Sequence, residues 1–100
     1  NPESRSIVRS LIEQADVVIE SFRPGVLERL GYGPEVLHEW NPKLELLRVS
    51  GYGQTGPYRD RPGFGKAAEA FSGLLHMTGF PEGPPVFGGF PIADMTSGLM

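Results

Sequence analysis

Glycine and proline are concentrated in the second half of this 100-residue chain, and they limit how much regular structure it can form. Residues 51–91 contain ten Gly and six Pro among 41 residues, whereas residues 1–50 contain three Gly and four Pro. Gly destabilises helices and strands through its backbone freedom, and Pro lacks the N–H that both elements need. We therefore expect the α/β core elements in residues 1–50, and long loops around a single helix in residues 51–91.

Two short apolar runs are the predicted strands. Residues 16–20 are β-branched in the middle, which is typical of a strand buried on both faces, and residues 44–49 are rich in Leu. Two predicted helices, residues 26–30 and 34–40, lie between them, and a helical crossover joins parallel strands. The pattern predicts an α/β fold with a Rossmann-like parallel sheet flanked by helices. Because two strands cannot form such a sheet alone, we expect residues 1–100 to be part of one larger domain.

Three further helices are predicted outside this crossover. The first begins with Asn1 as N-cap and Pro2 as the first helical residue. Its predicted apolar stripe consists of Ile7, Val8, Leu11 and Ile12. The second covers residues 66–77, with Lys66 and Glu69 as a solvated pair and with an inward face made of Phe71, Leu74 and Leu75. The third covers residues 92–100.

Charge and composition exclude several functional classes. The net charge of −3 argues against a general nucleic-acid surface. The chain has no Cys, and His38 and His76 are far apart, so we expect no metal site. No apolar run approaches the roughly 20 residues of a membrane helix. The N-terminus shows no targeting pattern, which favours a cytoplasmic protein, with mitochondrial import as the alternative.

Asp94 is the carboxylate most suited to chemistry, because it lies near the predicted start of the last helix. A helix N-terminus favours a negative charge, and an ionised Asp can act as a nucleophile. The alternative is a simple N-cap. Arg23 directly follows the first strand, where open α/β sheets bind ligands. The Gly-rich loop at residues 50–58 follows the second strand, and it is either a tight turn or a close approach to a ligand.

Several segments form a recognisable series in order along nearly the whole chain. They are Val17–Gly25, Leu30–Gly33, Asn41-Pro42, Ser50–Tyr58, Arg61–Phe64, Ser72–Leu74, Thr78-Gly79 and Pro91–Met95. Together these segments resemble class III CoA-transferases. The resemblance implies an enzyme that moves coenzyme A between carboxylic acids, with a CoA thioester as substrate and no permanently bound cofactor. It also implies that the chain is a fragment of the large domain of an interlocked homodimer.

The family's functional positions fall on four residues of this chain. The catalytic Asp falls on Asp94, which would form an aspartyl anhydride and then an aspartyl-CoA thioester. The CoA contacts fall on Ser21, Phe22 and Arg29, where Arg29 would meet a phosphate of the nucleotide. Most members carry Asn where this chain has Ser21. An accessory carboxylate of some members falls near Lys66, where this chain has no matching acid.

Two alternatives accompany this prediction. The family also contains 2-methylacyl-CoA racemases, which use a His directly after the Pro-Gly turn as a second proton-transfer group. This chain has Phe64 at that position, so transferase is preferred. The other alternative is a CoA-binding module without catalysis.

Overall fold

The two predicted strands form one parallel sheet. The computed structural model describes residues 2–100 and contains β1 (Val17–Glu20) and β2 (Glu45–Arg48), which pair in parallel. The register places Val18 opposite Leu46 and Glu20 opposite Arg48. The chain between the strands crosses over through two helices, so the predicted α/β arrangement is confirmed.

Three helices pack with this sheet in the first of two compact units, which ends at Asp60. They are α1 (Pro2–Ile12), α2 (Val26–Arg29) and α3 (Pro34–Trp40). The predicted N-cap of α1, Asn1, lies outside the described residues. The core of this unit consists of one buried residue from α1, one each from α2 and α3, and one directly before β2: Ile12, Leu27, Leu37 and Leu44.

Asn41 connects the ends of two helices in this unit. Its Nδ2 donates hydrogen bonds to the carbonyl oxygens of Ile12 at 3.0 Å and Ala15 at 2.8 Å. Its Oδ1 accepts the backbone N–H of Lys43 at 3.1 Å. One side chain therefore satisfies carbonyls at and just beyond the end of α1, which helix geometry leaves without partners.

Burial is less complete than the sequence predicted. Ile12 is buried, but Ile7 and Leu11 of the same predicted stripe are 62% and 65% exposed. On β1, Val17 and Ile19 are also exposed, so the prediction of a strand buried on both faces is wrong for this chain by itself. The reason is physical: two strands with one layer of helices leave the other face of the sheet without a covering layer.

The second unit, residues 61–100, contains two helices connected by a long loop. They are α4 (Gly65–Phe71) and α5 (Ile92–Leu99). The predicted helix over 66–77 is too long, because Gly73 adopts a left-handed φ of +84° and the chain continues as turns. Phe71 is exposed, contrary to prediction, and the buried residue of α4 is Glu69.

No helix within residues 2–100 is both long enough and apolar enough to cross a membrane. Within the same residues, no group of three or more His, Cys, Asp or Glu side chains is arranged to hold a metal ion.

Candidate active site

Asp94 lies in the first turn of α5. Pro91 occupies the N-cap position, Ile92 is the first helical residue, and no side chain caps the helix. The N-cap interpretation of Asp94 is therefore wrong, since Asp94 is the third residue of the helix. Its side chain is exposed. A carboxylate in the first turn is favoured by the helix dipole, and here it is open to an incoming electrophile.

The first residue of α4 faces the Asp94 carboxylate. A Cβ built on Gly65 would lie 2.8 Å from Cγ and 2.9 Å from Oδ2 of Asp94, which is closer than real Cβ contacts allow. The absence of a side chain at Gly65 therefore leaves room for Asp94. The backbone of Gly65 is helical without a positive φ, so space and not conformation makes Gly necessary here.

Replacing Gly65 with Ala should impair function through the position of Asp94. Ala is compatible with the helical backbone at this first residue of α4, yet its methyl group would displace the Asp94 side chain. If Asp94 is catalytic, we expect kcat to fall by about 10–100-fold. Steady-state kinetics of the full-length variant tests this. Gly98→Ala is the matched control, since its Cβ would meet no atom within 4 Å among the described residues; equal activity of the two variants would contradict the steric argument.

Glu69 is the buried carboxylate of the second unit, with a side chain 2% exposed. Its Oε1 accepts the backbone N–H of Ala93 at 3.3 Å, and its Oε2 lies 3.5 Å from Nζ of Lys66. The sequence predicted a solvated Lys66–Glu69 pair, which is wrong for Glu69. No local pattern could have shown this, because the burial of Glu69 depends on the approach of α5, where Ala93 lies 24 residues further along the chain.

The first unit contains a separate cleft of about 400 Å³ that is rich in arginine. Arg29 contributes to it from the end of α2. Among residues 2–100, no carboxylate lies within ion-pair distance of the Arg29 guanidinium. Arg29 can therefore receive an anion without breaking an existing salt bridge. The lining residues are Pro24, Gly25, Glu28, Arg29, Arg48, Gln54, Arg59 and Asp60.

Gly25 sets the approach of Arg29 to this cleft. It has a φ of +80° directly before α2, and a Cβ built on it would lie 3.2 Å from Nη1 of Arg29. Both the backbone conformation and the close contact favour Gly at this position. The Gly-rich loop that follows β2 also reaches the cleft, since Gln54 lines it.

The other two predicted CoA contacts follow β1 but do not line this cleft. Ser21 and Phe22 are both exposed. The backbone N–H of Phe22 donates to Oε2 of Glu20 at 2.8 Å, so the segment after β1 is fixed by a buried carboxylate. The structure thus places Arg29 in a cleft and leaves Ser21 and Phe22 exposed outside its lining.

An ion-pair network that the sequence analysis did not identify supports this segment. Arg48 donates to Glu20 at 2.6 Å and to Glu28 at 2.7 Å. The hydrogen bond from the Arg48 guanidinium lowers the pKa of Glu28. Glu20 and Arg48 are paired residues at the ends of neighbouring strands, and this opposite-charge match was the available signal.

The two histidines have no role in either site. His38 is helical, and its Nε2 lies 3.1 Å from the carbonyl oxygen of Leu44, in line with a satisfied structural histidine. His76 is exposed in the turns after α4, so its predicted helical position is wrong.

Comparison with known proteins places the chain in one family. The model of CoA-transferase family III matches residues 1–100. The chain belongs to CoA-transferase family III. The fold agrees: a crystal structure of a CAIB/BAIF family protein from Brucella suis matches 99% of this chain with a TM-score of 0.91 and 38% identity.

Curated relatives in this family are named for CoA transfer. The chain is 50% identical, over 99% of its length, to the succinyl-CoA–L-malate CoA-transferase beta subunit of Chloroflexus aurantiacus. It is 38% identical, over 99% of its length, to the human succinyl-CoA:glutarate CoA-transferase. It covers 25% and 23% of these two relatives, and 26% of the Brucella suis chain. The chain thus spans about a quarter of the length of the family members that it matches.

Proposed function

We propose that the protein of which these residues are part transfers coenzyme A from an acyl-CoA donor to a carboxylic acid acceptor, with Asp94 as the covalent nucleophile. The observation that carries the proposal is the placement of Asp94 in a chain of CoA-transferase family III. Its carboxylate is exposed in the first turn of α5, with space left by Gly65.

The chemistry follows from a carboxylate nucleophile. An Asp94 oxygen attacks the donor's thioester carbonyl, the C–S bond breaks, and an aspartyl anhydride forms as CoA thiolate leaves. The thiolate then attacks the Asp94 carbonyl, which releases the donor acid and gives an aspartyl-CoA thioester. The acceptor carboxylate attacks this thioester, the C–S bond breaks, and a second anhydride forms with Asp94 as CoA thiolate leaves. CoA thiolate finally attacks the acceptor's carbonyl, which gives the new acyl-CoA and restores Asp94.

The substrates to test first come from the relatives' names. Succinyl-CoA appears in the names of relatives that act with L-malate, D-citramalate and glutarate. We propose succinyl-CoA as the first donor, with these dicarboxylic acids as acceptors. The full-length protein, incubated with succinyl-CoA and an isotope-labelled acid, should yield the labelled acyl-CoA by mass spectrometry. Binding of CoA without any exchange across a broader panel of donors and acceptors would favour the non-catalytic binding module.

Racemisation fits this chain less well. Moving a proton from one face of a carbon to the other requires two groups. The residue at the position of the racemase His is Phe64, which precedes α4, is 79% exposed and cannot exchange a proton.

We further propose that Arg29 binds a phosphate of the CoA nucleotide. Its guanidinium has no ion-pair partner among the described residues, whereas the other two arginines of the cleft, Arg48 and Arg59, are paired with Glu28 and Asp60. Arg29→Ala should weaken acyl-CoA binding by about 1–3 kcal/mol, the value of a charge-assisted hydrogen bond. An analogue without phosphate groups, such as acyl-pantetheine, should bind the wild type and the variant equally. Calorimetry on the full-length protein measures these affinities. Arg9→Ala, which removes an exposed Arg from α1, is the control; an unchanged affinity in a folded Arg29 variant would contradict the contact.

We also propose that the full-length protein is a homodimer, as the resemblance implies. Exposed aromatic residues in the second unit support a surface that other chain segments cover, among them Phe64, Phe71 and Phe80. Light scattering of the full-length protein tests this assembly.

A further inference from the structure

Glu69 is a buried acid that the proposed chemistry does not use. Its side chain is 2% exposed, and a buried carboxylate is costly unless it is paired and hydrogen-bonded. Its two oxygens have different partners. One lies 3.5 Å from Nζ of Lys66, whose own side chain is 44% exposed, and the other accepts the N–H of Ala93 at 3.3 Å.

The hydrogen bond that Glu69 accepts comes from Ala93, the residue directly before Asp94. Ala93 is the second residue of α5, so its N–H has no acceptor inside the helix. Glu69 supplies that acceptor from another helix. The hydrogen bond therefore holds the backbone from which the Asp94 side chain projects.

Glu69 and Gly65 are one helical turn apart and lie on the same face of α4. This face leaves space for the Asp94 carboxylate at Gly65 and fixes the preceding backbone at Glu69. The two contacts together define both the room that the carboxylate has and the point from which it extends.

We propose that Glu69 is a positioning residue for Asp94, acting through its hydrogen bond to the Ala93 N–H. This proposal rests on the proposed role of Asp94 as nucleophile. Glu69 does not touch substrate. A small misplacement of a reacting group can cost about 100-fold in rate, so the loss of this contact should lower the rate of the chemical steps and leave acyl-CoA binding intact.

Two conservative variants separate the hydrogen bond from the charge. Glu69→Gln removes the charge but keeps an oxygen that can accept the Ala93 N–H. Glu69→Asp keeps the charge but withdraws the oxygens by about one bond length, ~1.5 Å. We expect kcat of the full-length Asp variant to fall by about 10–100-fold with KM for acyl-CoA within about twofold, and we expect the Gln variant to retain kcat within about threefold of the wild type.

The trapping rate of Asp94 provides a second readout. Hydroxylamine added during turnover converts the anhydride or thioester at Asp94 into a hydroxamate, and its formation should slow in the Asp variant in parallel with kcat. Glu82→Asp, at an exposed loop position of the same unit, is the matched control and should behave as the wild type.

The outcomes are distinguishable. Three results would overturn the positioning role of Glu69. They are a normal kcat in Glu69→Asp, an equal loss of kcat in the Gln and Asp variants, and a loss of kcat in Glu69→Gln alone. Asp94→Asn is measured in parallel: if it keeps exchange, the proposed nucleophile is wrong, whereas if it loses exchange and Glu69→Asp does not, only the role of Glu69 fails.

Discussion

Replacing Asp94 with Asn should abolish CoA exchange while the protein still binds acyl-CoA. The amide has the shape of the carboxylate but lacks its nucleophilic oxygen anion. Loss of a covalent nucleophile typically lowers kcat by about 10³–10⁶-fold. The exposed position of Asp94 means that the substitution disturbs no core packing, so the thermal stability of the full-length variant should match the wild type.

The measurement combines exchange kinetics with trapping. In the wild type, hydroxylamine should label Asp94 during turnover, since anhydrides and thioesters react with it and free carboxylates do not. Asp16→Asn is the matched control, because Asp16 is an exposed aspartate in the other unit. Near-normal exchange by a folded Asp94→Asn variant, or a label on a different residue, would exclude Asp94 as the nucleophile.

Replacing Arg48 with Leu should cause the largest loss of stability among the substitutions considered. Arg48 is the partner of Glu20, whose side chain is only 3% exposed. Without Arg48, the buried Glu20 carboxylate keeps only the N–H of Phe22. Removing one partner of a buried ion pair typically costs about 3–5 kcal/mol, and denaturant unfolding of the full-length protein should show a loss of this size.

Two further variants test whether burial of the pair is the cause. Arg9→Leu removes a surface pair with Glu13, in which the side chains are 57% and 42% exposed, and a cation–π contact 5.8 Å from the Trp40 ring centroid. Together these should cost about 1 kcal/mol. Glu20→Gln combined with Arg48→Leu leaves no unpaired buried charge, since the Glu28 carboxylate that also loses Arg48 is 40% exposed, and it should recover much of the lost stability. A loss in Arg48→Leu no greater than in Arg9→Leu would contradict the assignment.

The sequence was most informative where local pattern and topology agree. Parallel pairing of β1 and β2 was predictable, because a helical crossover between two apolar runs permits little else. The start of α5 before Asp94 was also predictable. The end of α4 was not, since Ala-rich residues suggest a helix that Gly73 actually ends with a positive φ.

Burial was predicted less well than secondary structure. Periodicity identifies an apolar face but not the layer that covers it, and for Val17 and Ile19 that layer is not formed by residues 2–100. The opposite error occurred at Glu69, where a charge pair at helical spacing suggested solvent. Its burial depends on the approach of α5 from 24 residues further along the chain, a distance that local patterns do not report.

The network around Arg48 has a consequence for how this segment can change over evolutionary time. Arg48 pairs with Glu20 on the neighbouring strand and with Glu28 on α2, so loss of Arg48 removes a partner from two carboxylates, whereas loss of either acid leaves Arg48 paired with the other. Loss of Arg48 alone would leave the buried Glu20 carboxylate unpaired, so we expect related sequences that lack this arginine to lack the acid at position 20 as well. Glu28 is 40% exposed and loses less when its partner is removed, so we expect position 28 to vary more freely.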